Sequence, residues 1–509
     1  MISPHPFALS LSKRRPSLAI LQKERTGRFD AACGVARDRL RQARPERWVR
    51  GWLARIGRFL TLLLLTVLVA ARPVLAQDDS PQILRDTETE RFLAEIAAPM
   101  AKSAGLAPGA LQVVLINDSE INAFVAGGQT IYINSGLILA ADNANEVEGV
   151  IAHELGHIEG GHIPLSGQGT RPAGRIALLS LLLGVAAIAA GAAGPGMAAL
   201  GAGTTLAQSK YLAFSRAQEG SADASAVRHL SDAHLSGKGM ISFFAKLKQE
   251  EYRLTPADYT IDPYAQTHPM TADREQALEA DLQKSPWWNA PPDPAKQARF
   301  LRVKAKLAGY VQDPDVTLKK MPESDQSVPA HYARAYAWHR AAYPDKADAE
   351  ANALLRTAPQ DPYFNELKGQ ILLENGHPKE ALAPLRVAVA QSGSAPLISA
   401  LLGQALIATD DPANFAEAEK VLKVSVDKDR EDPLAWYALG AVYAQRGDTA
   451  HAALASAEKY AMDGNNQLAR SNAERALLGL KQGTPDYLRA EDIAVTSRNN
   501  MDSRYGKKH

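Results

Sequence analysis

The sequence predicts a mainly α chain in two parts: an α+β domain with a small sheet, then an α-solenoid of repeated helix pairs. Three observations carry this. β-rich runs are short and confined to residues 111–134, helical apolar periods fill most of the rest, and a repeat of 34 to 37 residues runs through the C-terminal half. The 509 residues are 46% hydrophobic and 22% charged, which excludes a disordered or collagen-like chain. Charge is uneven: residues 1–76 carry 15 Lys+Arg and 4 Asp+Glu, leaving the remaining 433 residues at −10. So acidic a body is a poor general binder of nucleic acid, which needs clustered cations. The only cysteine, Cys33, lies in the basic leader. The rest has no disulfide, thiol nucleophile, Cys ligand or lipidated cysteine, and its chemistry must come from His, Asp, Glu, Ser or a metal.

Residues 1–76 read as a leader ending in a signal peptide. Arg50, Arg55 and Arg58 precede the apolar run Phe59–Ala71, and Val74 and Ala76 then suit a cleavage site before Gln77. The run is shorter than the roughly 20 residues of a membrane span. An uncleaved anchor and an Arg-rich transit peptide are the competing readings. Export with cleavage after Ala76 would place the mature chain in the periplasm.

Within the mature chain, residues 83–105 have a helical period through Ile83, Leu84, Phe92, Leu93, Ile96 and Met100. Leu111–Asn117 and Thr130–Asn134 read as strands, Asn145–His162 and Ser209–Leu230 as helices. Ile176–Ala193 is an uncharged tract long enough to span a membrane, but the return, Met197–Ala207, is too short. A hairpin over residues 176–207, packed on a cleft or dipping into the membrane interface as a peripheral contact, is preferred to a span. Pro286, Pro291, Pro292 and Pro294 beside Trp287 and Trp288 suggest a domain boundary. The expected division is 77–285 for the α+β domain, 286–327 for a linker and first helices, 328–485 for the repeats and 486–509 for a tail.

The repeat is explicit. Asp361-Pro362, Ala395-Pro396 and Asp432-Pro433 recur, each followed seven residues after the proline by Gly369, Gly403 or Gly440. Ala381, Ala418 and Ala452 occupy a second small-residue position. Trp436-x2-Leu439-Gly440-x2-Tyr443 is the signature of a tetratricopeptide repeat. The segment from Val328 fits a degenerate first unit and that from Gln467 a capping one. Such arrays present a concave face that holds peptides or partner proteins.

His153-Glu154-Leu-Gly-His157 is an H-E-x-x-H motif. Residues four apart share a helix face, so both imidazoles can reach one ion. Zn²⁺, one per chain, suits two histidines, a third ligand and an open position, with Glu154 placed to take a proton from water. The third ligand is open on the residues alone. His162 misses the metzincin spacing by one position and would lie about 140° round the helix from His157, second-shell or solvated. The alternative is a carboxylate from Ser215-Arg216-x-x-Glu219-x-x-x-Asp223, which by itself reads as a charged helix face.

H-E-x-x-H followed by S-R-x-x-E-x-x-A-D resembles the gluzincin metallopeptidases of the HtpX and CAAX-protease family, over roughly residues 80–485 once the repeats are included. The resemblance implies a zincin-type metalloprotease domain with His153, His157 and Glu219 as zinc ligands and Glu154 as general base. It assigns Asp223, Arg216 and Arg274 to supporting roles. Asn122, Phe124, Tyr132 and Asn134 fall in the family's cleft-edge strand region. Thr267-His268-Pro269 matches a loop that approaches the zinc, so His268 would cap the metal at rest or steady the reacting oxyanion. For a member with an export signal and repeats, the resemblance implies cleavage of unfolded or misassembled outer-membrane β-barrel proteins. It also implies help to their assembly and contact with the barrel-assembly machinery. The reading from another class is a non-proteolytic repeat scaffold or chaperone with a structural zinc domain.

Overall fold

A computed structural model describes residues 4–6, 82–162, 215–253, 268 and 271–506. The signal peptide, the apolar tract 176–207, Thr267 and Pro269 lie outside the described residues. The sheet contains β1 (Pro4–Pro6), β2 (Ile83–Arg85), β3 (Gln112–Ile116), β4 (Ala123–Val125) and β5 (Thr130–Asn134) in the order β1-β2-β3-β5-β4. β1–β2 and β3–β5 are parallel; β2–β3 and β4–β5 are antiparallel. Leu115, Ala123, Val125, Ile131 and Ile133 are buried in one core with Phe92, Leu93 and Met100 of α1 (Thr87–Ser103) and Val147, Val150, Ile151 and Leu155 of α3 (Ala144–Glu159). The short α2 (Ser135–Ala140) leads from β5 toward α3.

The helical period through Ile83 and Leu84 is not realised as helix. Leu84 pairs with Leu115 across the sheet, and Asp86 ends the strand by accepting the Thr89 N–H at 2.9 Å as an N-cap. α3 is likewise shorter than its period suggested, stopping at Glu159. Residues 215–232 form α4, followed by α5 (Lys238–Arg253) and α6 (Ala272–Leu282).

The proline-rich stretch is no loose linker. Ser236 Oγ donates to the Trp288 carbonyl at 2.7 Å. α7 (Pro294–Val311) and α8 (Pro314–Lys320) follow, and Phe300, Val303 and Leu307 of α7 lie in the core that holds α1 and α3. The same core continues through Tyr332 and Tyr336 of α9 (Val328–Arg340) to Phe364, Leu367 and Ile371 of α11 (Pro362–Glu374). Charged groups cross this region too. Lys306 Nζ, fully buried, lies 2.5 Å from Asp86, Tyr332 donates to Glu88 at 2.7 Å, and Arg302 pairs with Glu88 and Asp361. Arg85 reaches Asp429 at 2.6 Å. Arg85 and Asp86 face Glu366, Gln370, Leu401 and Asp432 across a cavity of about 30 Å³, room for a water. Part of the array's face is thus covered by the chain's own N-terminal segment.

The repeats pair α9 with α10 (Pro344–Thr357), α11 with α12 (Pro378–Gln391), α13 (Pro396–Ala408) with α14 (Phe415–Lys428), and α15 (Pro433–Gln445) with α16 (Thr449–Met462). α17 (Asn466–Leu477) and α18 (Pro485–Gly506) close the array, so the stretch expected as a tail is mostly a packed helix. Asp361 and Asp432 cap their helices by accepting two backbone N–H groups each, and the following proline fits the first turn. The glycines set the spacing within pairs. A Cβ on Gly369 would lie 2.3 Å from Leu385, and one on Gly403 2.4 Å from Leu422, both leucines fully buried. Gly369→Ala and Gly403→Ala are each expected to cost about 1–3 kcal/mol in urea unfolding. Gly440→Ala meets Ala455 only at 3.3 Å, and alanine's helix propensity offsets the contact, so its change stays under about 1 kcal/mol. Equal losses at all three sites would contradict this packing.

Candidate metal centre

Two helices bring the donor groups together. α3 carries His153, Glu154 and His157, all buried; α4 carries Glu219 and Asp223. The helices approach closely because Gly156 faces Ala222. A Cβ at Gly156 would lie 2.6 Å from the Ala222 carbonyl oxygen. Gly156 sits between the two histidines, and Ala222 between the two carboxylates, so this contact sets the distance between donors. On the opposite flank Gly149 packs as closely on Met240 of α5.

His153 Nε2 lies 3.1 Å from His157 Nε2, 3.2 Å from His268 Nδ1 and 3.4 Å from Glu219 Oε2. His157 Nε2 is 3.5 Å from Glu219 Oε1, and His268 Nδ1 is 3.1 Å from the same oxygen. These spacings fit one ion. Ligands about 2.0–2.1 Å from a tetrahedral zinc are separated by about 3.3–3.4 Å. The donor chemistry fits as well. Although burial opposes it, Asp223 and Glu219 push the His153 imidazole up to about 9, so the pocket already favours a positive charge. Burial, with His153 and His268 as neighbours, holds His157 toward its neutral form. Against the cost of burial, hydrogen bonds and charge from His153 and His268 keep Glu219 ionised, well below the usual carboxylate range.

Glu154 lies beside this cluster. Its Oε1 is buried without a hydrogen bond, 3.6 Å from His268 Nε2, and burial raises its pKa. Asp223 Oδ1 stands 3.0 Å from His153 Nδ1 and is itself held by Arg274, at 2.6 and 2.8 Å. Arg274 also reaches Glu219 at 2.9 Å. Arg216 is exposed and lines a cavity of about 220 Å³ with Asp223, Thr271 and Arg274. Phe124 stacks on Tyr132, ring centroids 5.3 Å apart, on the edge pair β4–β5. Asn122 is half-buried, its carbonyl accepting the Asn134 N–H; Asn134 itself is buried at the start of α2.

One neighbour escaped the sequence reading, and a second, His162, was left open between a supporting and a solvated position. Phe244 of α5 sets its ring at 90° to His153, 5.8 Å between centroids, and nothing in its apolar pattern marks it out from other core residues. His162 is buried, with Nδ1 2.8 Å from His157 Nδ1. It therefore takes the supporting position of the two, reached by a turn rather than along the helix, because α3 ends before it at the Gly160-Gly161 pair.

Residues 87–282 match the family model described as Peptidase family M48, a stretch that includes both helices carrying the donor groups. More particularly, the chain is similar to beta-barrel assembly-enhancing proteases. It is 25% identical to that of Yersinia pestis over 404 residues, 77% of this chain and 80% of the relative. The Escherichia coli K12 protein is 24% identical over 417 residues, 80% of this chain and 82% of its own. A relative from Vibrio cholerae is 29% identical over 293 residues, 55% of this chain, and the match spans 58% of the relative's length.

Gly156→Ala is expected to force α3 and α4 apart, costing about 1–3 kcal/mol of stability and weakening metal binding. A metal titration matching the parent's, in a variant equally stable, would remove this contact from the control of donor spacing.

Proposed function

We propose that this chain is a zinc-dependent endopeptidase of the periplasm. In this reading it degrades misassembled outer-membrane proteins and assists the assembly of others, while its repeats hold substrate or the barrel-assembly machinery. The observation that carries the reading is the convergence of His153, His157 and Glu219 on one point, with Glu154 buried beside it. Similarity to beta-barrel assembly-enhancing proteases supports the substrate class. The signal-like leader supports export. Among the described residues no helix is long and apolar enough to cross a membrane.

Zinc, when bound, would polarise a peptide carbonyl and make water more acidic. Glu154 takes the proton from the attacking water and hands it to the leaving nitrogen as the C–N bond breaks. Its buried carboxyl suits both tasks, since desolvation strengthens it as a base. Asp223, braced by Arg274, stands 3.0 Å from His153 Nδ1, out of line for a hydrogen bond but close enough for its charge to favour a hydrogen there and leave Nε2 free to bind. β4 ends the sheet, so its outer edge can pair with an extended substrate segment beside Phe124 and Tyr132. His268 acts as a plug at rest: its Nδ1 sits against His153 and Glu219, where a fourth ligand belongs.

Glu154→Gln is expected to keep zinc and fold while abolishing cleavage of an unfolded β-barrel protein. Cleavage at the parent rate would take Glu154 out of the mechanism, and no cleavage by either the zinc-loaded parent or the zinc-loaded His268→Ala variant would favour the scaffold reading. His268→Ala should raise cleavage of a loosely folded substrate. A fall of about 10²–10³ at full zinc occupancy would instead make His268 an oxyanion donor.

A further inference from the structure

The chain doubles back immediately after the ligand-bearing helix, and the turn carries a further imidazole to the second histidine. α3 stops at Glu159, and Gly161 has φ +59°, in the left-handed region that suits glycine. A Cβ on Gly160 would lie 2.2 Å from Nε2 of His162, so the ring rests directly on the Gly160 backbone. Only a glycine at position 160 leaves room for it. His162 is thereby 8% exposed, with its Nδ1 2.8 Å from Nδ1 of His157 and the ring centroids 4.8 Å apart.

Two imidazole nitrogens at this distance share one hydrogen: one donates and the other accepts. Nε2 of His157 faces His153 and Glu219, the point of ligand convergence, and needs its lone pair there. The hydrogen of His157 therefore belongs on Nδ1, and Nδ1 of His162 accepts it. His162 then carries its own hydrogen on Nε2.

We propose that His162 is the positioning residue for His157, fixing its ring orientation and, as Asp223 does for His153, its tautomer. The inference rests on the metal reading of the site. The two supports differ in charge, and the difference has a reason. Glu154, Glu219 and Asp223 against Arg274 leave two negative charges, which one divalent ion neutralises. A further carboxylate at position 162 would leave a buried charge uncompensated, which is costly. A neutral imidazole orients His157 without adding charge.

The test is zinc affinity, measured by chelator competition on the full chain with the unfolding midpoint of each metal-free protein recorded. His162→Phe fills the space without an acceptor and should bind zinc about 10–100-fold more weakly. His162→Asn places an amide oxygen near the Nδ1 position and should restore most of the affinity. Parent-like affinity in the Phe variant, or an Asn variant as weak as it, would overturn the assignment. If either variant fails to fold, a ¹⁵N spectrum of the zinc-loaded parent decides: hydrogen on Nδ1 of His157 and Nε2 of His162 is expected, and hydrogen on Nδ1 of His162 overturns it. A parent that binds no zinc fails at the earlier step and sinks the metal reading itself.

Discussion

The centre depends on how closely α3 and α4 can approach. Donors on one helix have spacings fixed by the helix itself, but the distance from His157 to Glu219 is a tertiary quantity. Gly156 against Ala222 sets it, backbone on backbone, with no flexible side chain between. Packing of this kind is stiff, because interiors hold few voids into which a neighbour can yield. Gly149 on Met240 does the same for α5, which carries Phe244 against the His153 ring. The helices that carry the donors are thus spaced by close contacts at glycines, while Asp223, Arg274 and His162 act on the donor side chains themselves.

A second constraint ties the α+β domain to the repeats. Lys306 is fully buried between Asp86 and the rings of Tyr332 and Tyr336. A buried ammonium is tolerated only when paired, and leaving one partner alone is far worse than burying both. Those partners come from the start of α1 and from α9, more than 200 residues apart in sequence. The pairing therefore fixes the register of α7 between them more sharply than apolar packing would, since charges do not slide past one another without loss.

Much of this was legible in the sequence. H-E-x-x-H named α3, and the Asp-Pro and glycine spacings named the helix pairs, because those signals are local and periodic. Ile83 and Leu84 were misread because three residues of strand fit a helical period as well as a strand alternation; only the partner Leu115 decides. His162 was left between a supporting and a solvated position because angular projection holds only while the helix continues, and α3 stops at Glu159. Residues 486–506 read as a tail because charge reports exposure in an isolated segment, whereas α18 packs along α17 and α16. Within the stretch expected as a linker and first helices, α7 also packs on α1, α2 and α3, which are distant in sequence. The Lys306 pairing has no sequence signature at all, since a lysine on a helix is ordinarily solvated.

The shared core bears on how the array ends. A solenoid repeat buries its faces on its neighbours, so the terminal units need caps. At the C-terminal end α18 performs this task as an ordinary long helix. At the N-terminal end the cap is α7, where Gly309 approaches the Ala333 carbonyl of α9, together with the charged start of α1. The first unit is therefore finished by another domain. Cut free, it would expose Tyr332 and Phe364 together with the unpaired Asp361. The array is no interchangeable cassette, and a graft that replaced it would have to supply a new surface for α7 and the start of α1.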